Sequence, residues 1–279
     1  MRIARVSLDG RIGLAASTAS GVRVVFDAAL ADVDALIAGG GLAEAGVRAA
    51  AGEVIDEASL TFLPPVVRPP KIICLGLNYR DHAEESGLGI PEFPVLFARF
   101  ASSLIGHGAP IILPRVSEQL DWEAELVVVL AKGGKTIAQA DALDHVAGYS
   151  VFNDASIRDY QLRTPQWTAG KNFDDTGAFG PWLVTPDELP AGAAGLKIEC
   201  RVNGQVMQSS NTDNLIFDVA ATISLLSGFM TLEAGDVLVM GTPGGVGVAR
   251  KPPMWMKAGD VCEVEIEGIG LLVNPIVAE

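Results

Sequence analysis

The chain has 279 residues, 49% hydrophobic and 19% charged, with 31 glycines and 16 prolines. That balance excludes a disordered or collagen-like chain and points to many turns and strands and few long helices. Its 20 Lys and Arg against 34 Asp and Glu leave a net charge of −14, a field that repels phosphate backbones and anionic lipid surfaces, so neither nucleic acid nor a membrane is expected as a partner. An anionic small molecule is repelled as well, and can be held only where a bound cation or local Lys and Arg invert the field.

Cys74, Cys200 and Cys262 lie far apart with no C-x-x-C among them, so neither a disulfide framework nor a thiolate zinc site is expected, and a reducing cytoplasm fits. The opening MRIARVSLDGRIG reaches Asp9 and Arg11 before any apolar run of signal-peptide length. No stretch approaches the roughly 20 apolar residues that span a bilayer.

In chain order, residues 1–62 carry short alternating runs (RIARVSL, RIGLAA, VRVVF) and the stretch DAALADVDALIAGG, which reads as one helix ending in glycine. LPPVVRPPK, Leu63 to Lys71, cannot continue a helix or a central strand and reads as an extended linker. A domain boundary is placed there, between a small unit over 1–65 and a larger one over 70–279. IICLGL is then a buried strand ending in the polar turn Asn78-Tyr79-Arg80-Asp81-His82, with a short helical turn that stops at Gly87 and Gly89. Further strands are expected at PVLFARF, PIILP, AELVVVLA, HVAGYSVF, LKIECRVNG, DVLVMG and VCEVEIEGIGLLVNPI, and one sizeable helix at Asn214 to Leu232, where apolar residues recur at helical spacing.

Several familiar sites fail on spacing. Gly134-Lys135-Thr136 lacks the earlier glycine of a phosphate loop, the glycine-rich 241–247 run has the wrong register for a dinucleotide fold, no G-x-S-x-G is present, and His82, His107 and His145 are too far apart to form an H-x-x-x-H pair. Oxygen chemistry remains. Glu123 and Glu125 stand two apart at the head of a buried strand, where period two aims both carboxylates to one face about 7 Å apart. They form either a solvent-facing pair on an edge strand or, on a central strand, a pair that requires a cation between them. Asp154 supplies a third oxygen donor, unless it only caps a helix. Three carboxylates with water at the remaining positions are a ligand set for Mg²⁺ or Mn²⁺.

His82 and Glu85 are three apart on one helical face, so the carboxylate can orient the imidazole, and Gly87-Leu88-Gly89 has the composition of a closing loop. Lys171 is either a solvated loop charge or a site residue. The glycines around Thr242 can present backbone N–H groups to a carboxylate. Spacing settles neither.

The pieces GLNYRDHAEESG, PVLFARFASSLIGHGAPIILP, LDWEAELVVVLAKGGK, GYSVFNDASIRDYQ, WTAGKNFDDTGAFGPWL and VMGTPGGVG, in this order over about residues 70 to 275, resemble the fumarylacetoacetate hydrolase family. The resemblance implies an α+β, mainly β fold: a mixed β-roll or β-sandwich catalytic domain over 70–279, behind a small variable N-terminal α/β domain over 1–65. It also implies a homodimer or dimer of dimers and a Mg²⁺ or Mn²⁺ ion on Glu123, Glu125 and Asp154. His82 and Glu85 take the place of the family's water-activating dyad, and Lys171 that of its enolate-stabilising lysine. Arg158, Gln161 and Thr242 match substrate-contacting positions. Arg99 stands where many members have lysine, a different charge geometry that bears on which acid fits.

The activity so implied is hydrolysis of a C–C bond in a 2,4-diketo acid (an acylpyruvate), giving pyruvate and a carboxylic acid. The alternatives are decarboxylation of oxaloacetate, or isomerisation of 2-hydroxyhepta-2,4-diene-1,7-dioate from aromatic degradation, by the same metal-enolate chemistry. A reading from another class is a non-catalytic metal-binding sandwich.

Overall fold

The structure, a computed structural model, describes residues 1–85, 87 and 89–279. Its centre is the strand Ala124–Leu130, buried at every position. It pairs antiparallel with Val146–Asp154 on one side and Val237–Val239 on the other. A continuous run of Leu and Val suits such a place because both faces of the strand are covered. Leu126, Val128 and Leu130 enter one hydrophobic cluster and Val127 and Val129 another, so this strand is the wall between two cores.

The strand belongs to a twelve-stranded sheet. Beyond Val237–Val239 come Ile72–Gly76, parallel to it, and the edge strand Val95–Ala98. Beyond Val146–Asp154 come Gly177–Val184 and then the N-terminal strands Arg2–Leu8, Arg11–Thr18 and Gly21–Val25. The join between the two stretches is short, Arg2 opposite Val184 and Ile3 opposite Leu183. The strands of residues 1–62 thus continue the sheet of the larger stretch. A second, five-stranded sheet runs in the order Gln205–Asn211, Lys197–Val202, Val261–Ile266, Gly270–Ala278, Ile111–Leu113. It shares the first cluster with the large sheet. The fold is mainly β with a few short helices.

Some elements differ from expectation. DAALADVDALIAGG is helical only over Val33–Ala38, where Asp32 caps the first turn, and a second helix follows at Leu42–Ala50. The helix of the second half is Val219–Phe229, shorter than the apolar spacing suggests, because the Asp218 side chain accepts from Ala221 N–H and fixes its start. Gly177–Val184 is a strand beyond those expected, although proline is ordinarily excluded from central ladders. Pro181 is tolerated there because the register jumps from Val151↔Gly180 to Tyr149↔Val184, and the missing N–H falls in the bulge. The helix Arg80–Glu85 follows directly on Ile72–Gly76. Of the expected hinge, Leu88 lies outside the described residues. Among the described residues no helix is long and apolar enough to cross a membrane.

Candidate active site

Glu125 lies in the central strand and Glu123 just before it, and both point to the face that carries Val127 and Val129. Ala124 pairs with Asn153, and Asp154 N–H donates to the Glu123 carbonyl at 2.9 Å, which sets Asp154 across from Glu123. One oxygen from each of the three carboxylates lies within 4.8 Å of the others. Glu123 is 5% and Glu125 1% exposed, which rules out a solvent-facing pair. Asp154 faces the cluster rather than capping a helix.

Three cations close around the acids. Lys171 Nζ lies 2.5 Å from Glu123 and 2.6 Å from Asp154, Arg158 Nη1 lies 2.7 Å from Glu123, and Arg99 Nε donates to Asp154. Lys171, 1% exposed at the end of the single turn Thr168–Lys171, is not a solvated loop charge. Burial works against the Asp154 charge, but Arg99 and Lys171 overcome it and hold the carboxyl down at about 2. Burial likewise disfavours the Lys171 ammonium, and Asp154 and Glu123 more than offset it, raising the group above the ordinary lysine value. Glu125 has no cation within 4.0 Å among the described residues, and its hydrogen-bond donor is Gly241 N–H at 2.5 Å. Burial, with Asp154 and Glu123 beside it, pushes its carboxyl well above the ordinary value. A clustered oxygen donor set with one member lacking a cation fits a hard divalent ion.

The acids open into a cavity of about 140 Å³. One wall is apolar, with Leu75, Phe97, Trp167, Val246 and Val248; Arg158, Gln161, Lys171 and Thr242 supply the polar side, and His82 sits on the lining. His82 Nδ1 faces Glu85 Oε2 at 3.4 Å. The hydrogen bond from His82, followed by the amide of Gly245, draws the Glu85 carboxyl below the usual range despite its partial burial. Arg158 Nη1 also donates to Gln161 Oε1 at 2.8 Å, and its Nη2 is buried without a partner. The cavity thus gathers His82, Lys171, Arg158, Gln161, Thr242 and two of the three acids. Arg99 stands apart, behind Asp154, donating also to Ser103, Thr176 and the Ala155 carbonyl. It orients the acid instead of reaching the cavity.

Three residues escaped the sequence reading. Asp121, fully buried, accepts from Gly247 N–H at 2.7 Å, Val248 N–H at 2.9 Å and Arg158 Nε at 2.8 Å. Its signal lay in the text, as the first acid of the period-two series Asp121, Glu123, Glu125. Asp81 accepts from Gly244 N–H at 3.3 Å and from the Ser210 hydroxyl. Gln208, 1% exposed, reaches the central strand and Thr242 from the second sheet. No local pattern marks it. The glycine loop also behaves differently from expectation. The amides of Gly241, Gly244, Gly245, Gly247 and Val248 donate to the protein's own Glu125, Asp81, Glu85 and Asp121.

Residues 71–277 match the Fumarylacetoacetate (FAA) hydrolase C-terminal family. Over 226 residues the chain is 47% identical to the oxaloacetate tautomerase FAHD2A, mitochondrial, of Bos taurus, covering 80% of this chain and 72% of that one. Among solved structures it resembles the fumarylacetoacetate hydrolase of the psychrophile Exiguobacterium antarcticum, at 34% identity and a TM-score of 0.85 over 100% of both chains. It also resembles the 5-carboxymethyl-2-hydroxymuconate delta-isomerase of Mycobacterium smegmatis, at 31% identity and a TM-score of 0.80 over 100% of this chain and 99% of that one. Every residue of the cavity falls inside the matched span, and on that match and these relatives the chain belongs to the fumarylacetoacetate hydrolase family.

Proposed function

We propose that the chain is a divalent-metal enzyme for keto–enol proton transfer on a small 2-oxo dicarboxylate, with oxaloacetate as the leading substrate. The observation that carries this reading is the cavity: about 140 Å³, well below the range for drug-sized ligands, with Lys171 and Arg158 meeting on Glu123 beside Glu125 and Asp154. The tautomerase relative supports it.

Glu123, Glu125 and Asp154 would hold Mg²⁺ or Mn²⁺, which supplies Lewis-acid stabilisation of oxygen charge and answers the acidic surface. Arg158 and Gln161 present N–H groups to a carboxylate, and the apolar wall excludes water from the carbon skeleton. His82 takes the proton from C3 and returns it to the 2-oxo oxygen, so one C–H bond breaks, one O–H bond forms, and nothing else enters or leaves. Glu85 holds the Nδ1–H side of the ring and leaves Nε2 as the base. Lys171 keeps a positive charge beside the oxygen on which negative charge gathers. Hydrolysis of an acylpyruvate is the second reading, favoured by the same His82–Glu85 pair, which serves equally to activate water. A homodimer or dimer of dimers in a reducing compartment belongs to this proposal, the compartment supported by an odd number of cysteines with no C-x-x-C.

The test follows decay of the oxaloacetate enol absorbance, and pyruvate release from oxaloacetate and from an acylpyruvate, with Mg²⁺ or Mn²⁺ and then EDTA. The expected result is metal-dependent enol decay without pyruvate, lowered roughly 10²- to 10⁴-fold in His82→Ala. Pyruvate from the acylpyruvate that collapses in His82→Ala selects the hydrolase, pyruvate from oxaloacetate selects the decarboxylase, and no turnover overturns all three.

A further inference from the structure

We propose that Gln208 is a positioning residue that fixes the direction of the Thr242 hydroxyl, so that Thr242 meets the substrate as a hydrogen-bond donor. Gln208 reaches Thr242, which lines the cavity, from a bulge in the second sheet. Cys200 pairs with Gln208 and Arg201 with Val206, leaving Met207 as the extra residue, so two successive side chains, Met207 and Gln208, are both buried. Without the bulge, alternation would send one of them to solvent.

The amide orientation follows from its partners. Gln208 Oε1 accepts from Ala124 N–H at 2.9 Å, and Nε2 lies 2.8 Å from the Pro243 carbonyl and 2.8 Å from Thr242 Oγ1. A backbone N–H can only donate and a carbonyl can only accept, so a flipped amide would place donor on donor and acceptor on acceptor. Both Nε2 protons are therefore committed, one to Pro243 and one to Thr242 Oγ1. Oγ1 is an acceptor toward Gln208, and its own proton, which has no acceptor among the described residues, is left for the cavity that Thr242 lines. Ala124 lies between Glu123 and Glu125, so one side chain sets both the carboxylate strand and the hydroxyl opposite it. With Gln161 Oε1 occupied by Arg158, the cavity offers donors from Thr242, Gln161, Arg158 and Lys171. Such a lining suits a ligand that presents only acceptor oxygens there, and this assignment rests on the oxo-acid reading above.

The test is a double-mutant cycle on the affinity for oxalate, a planar dianion with acceptor oxygens only, measured by calorimetry at saturating Mg²⁺. Gln208→Met and Thr242→Val should each weaken oxalate about tenfold, and the double variant about tenfold, not a hundredfold, because both remove the same donated hydrogen bond. Should Gln208→Met fail to fold, Gln208→Glu, which keeps an acceptor for Ala124 N–H, takes its place in the cycle. Additive losses, or an unchanged oxalate affinity in the Gln208 variant, overturn the assignment. Wild type that binds oxalate but turns over no oxo acid overturns the proposed function alone, and wild type that binds no oxalate overturns both.

Discussion

The carboxylate of Asp121 accepts from the amides of Trp122, Gly247 and Val248 and from Nε of Arg158, so it ties a cavity-lining guanidinium to the loop that forms the opposite wall of the cavity. Asp121→Asn keeps the shape but turns an NH₂ toward two donors, Arg158 Nε and Val248 N–H. The expected cost is about 2–3 kcal/mol in urea unfolding together with a KM for oxaloacetate raised about tenfold; an unchanged KM would reduce Asp121 to a structural anchor. Glu123, Glu125 and Asp154 were legible as a group because strand period and oxygen chemistry act locally. Lys171 was reached only through the family resemblance, since nothing near Gly170 and Asn172 reveals that the turn folds under two carboxylates. Arg99 was placed at the substrate by analogy with a lysine, whereas its planar fork donates to Asp154, a carbonyl and two hydroxyls at once.

At the scale of elements, the glycine loop is a backbone ligand for carboxylates that arrive from three directions. Its approach to the Met207 bulge is so close that a Cβ on Gly245, at φ +102, would lie 2.3 Å from the Met207 carbonyl oxygen. Gly245 also connects the loop to the helix Arg80–Glu85, whose Glu85 accepts its N–H at 3.0 Å. A glycine-rich loop ordinarily exchanges its amide hydrogens fast; here Gly241, Gly245, Gly247 and Val248 should exchange at least tenfold slower than an unstructured chain, and Glu85→Ala should release Gly245 while leaving Gly247 and Val248 protected. Uniformly fast exchange in the wild type would show that the carboxylates do not hold the loop. The central strand was readable from its apolar run and the helix Arg80–Glu85 from its place after a polar turn. The strand Gly177–Val184 was not, because the bulge that accommodates Pro181 arises from pairing with a partner far away in sequence.

At the scale of the whole molecule, the strand Ala124–Leu130 serves two cores at once, and the N-terminal strands extend the sheet that holds it. Family motifs covered the larger stretch from about residue 70; the continuity of the sheet into residues 1–62 was invisible because it rests on two register pairs, Arg2 with Val184 and Ile3 with Leu183. The charges are distributed just as unevenly. Arg99, Arg158 and Lys171 are withdrawn into the buried site, while the chain as a whole carries −14. A dianion must therefore cross a repulsive outer field before it meets any of them, the reverse of electrostatic steering. Raising ionic strength from about 0.01 to 0.15 M shortens the screening length from about 30 to 8 Å. Added monovalent salt should then raise kcat/KM for oxaloacetate, where a steered enzyme would lose it.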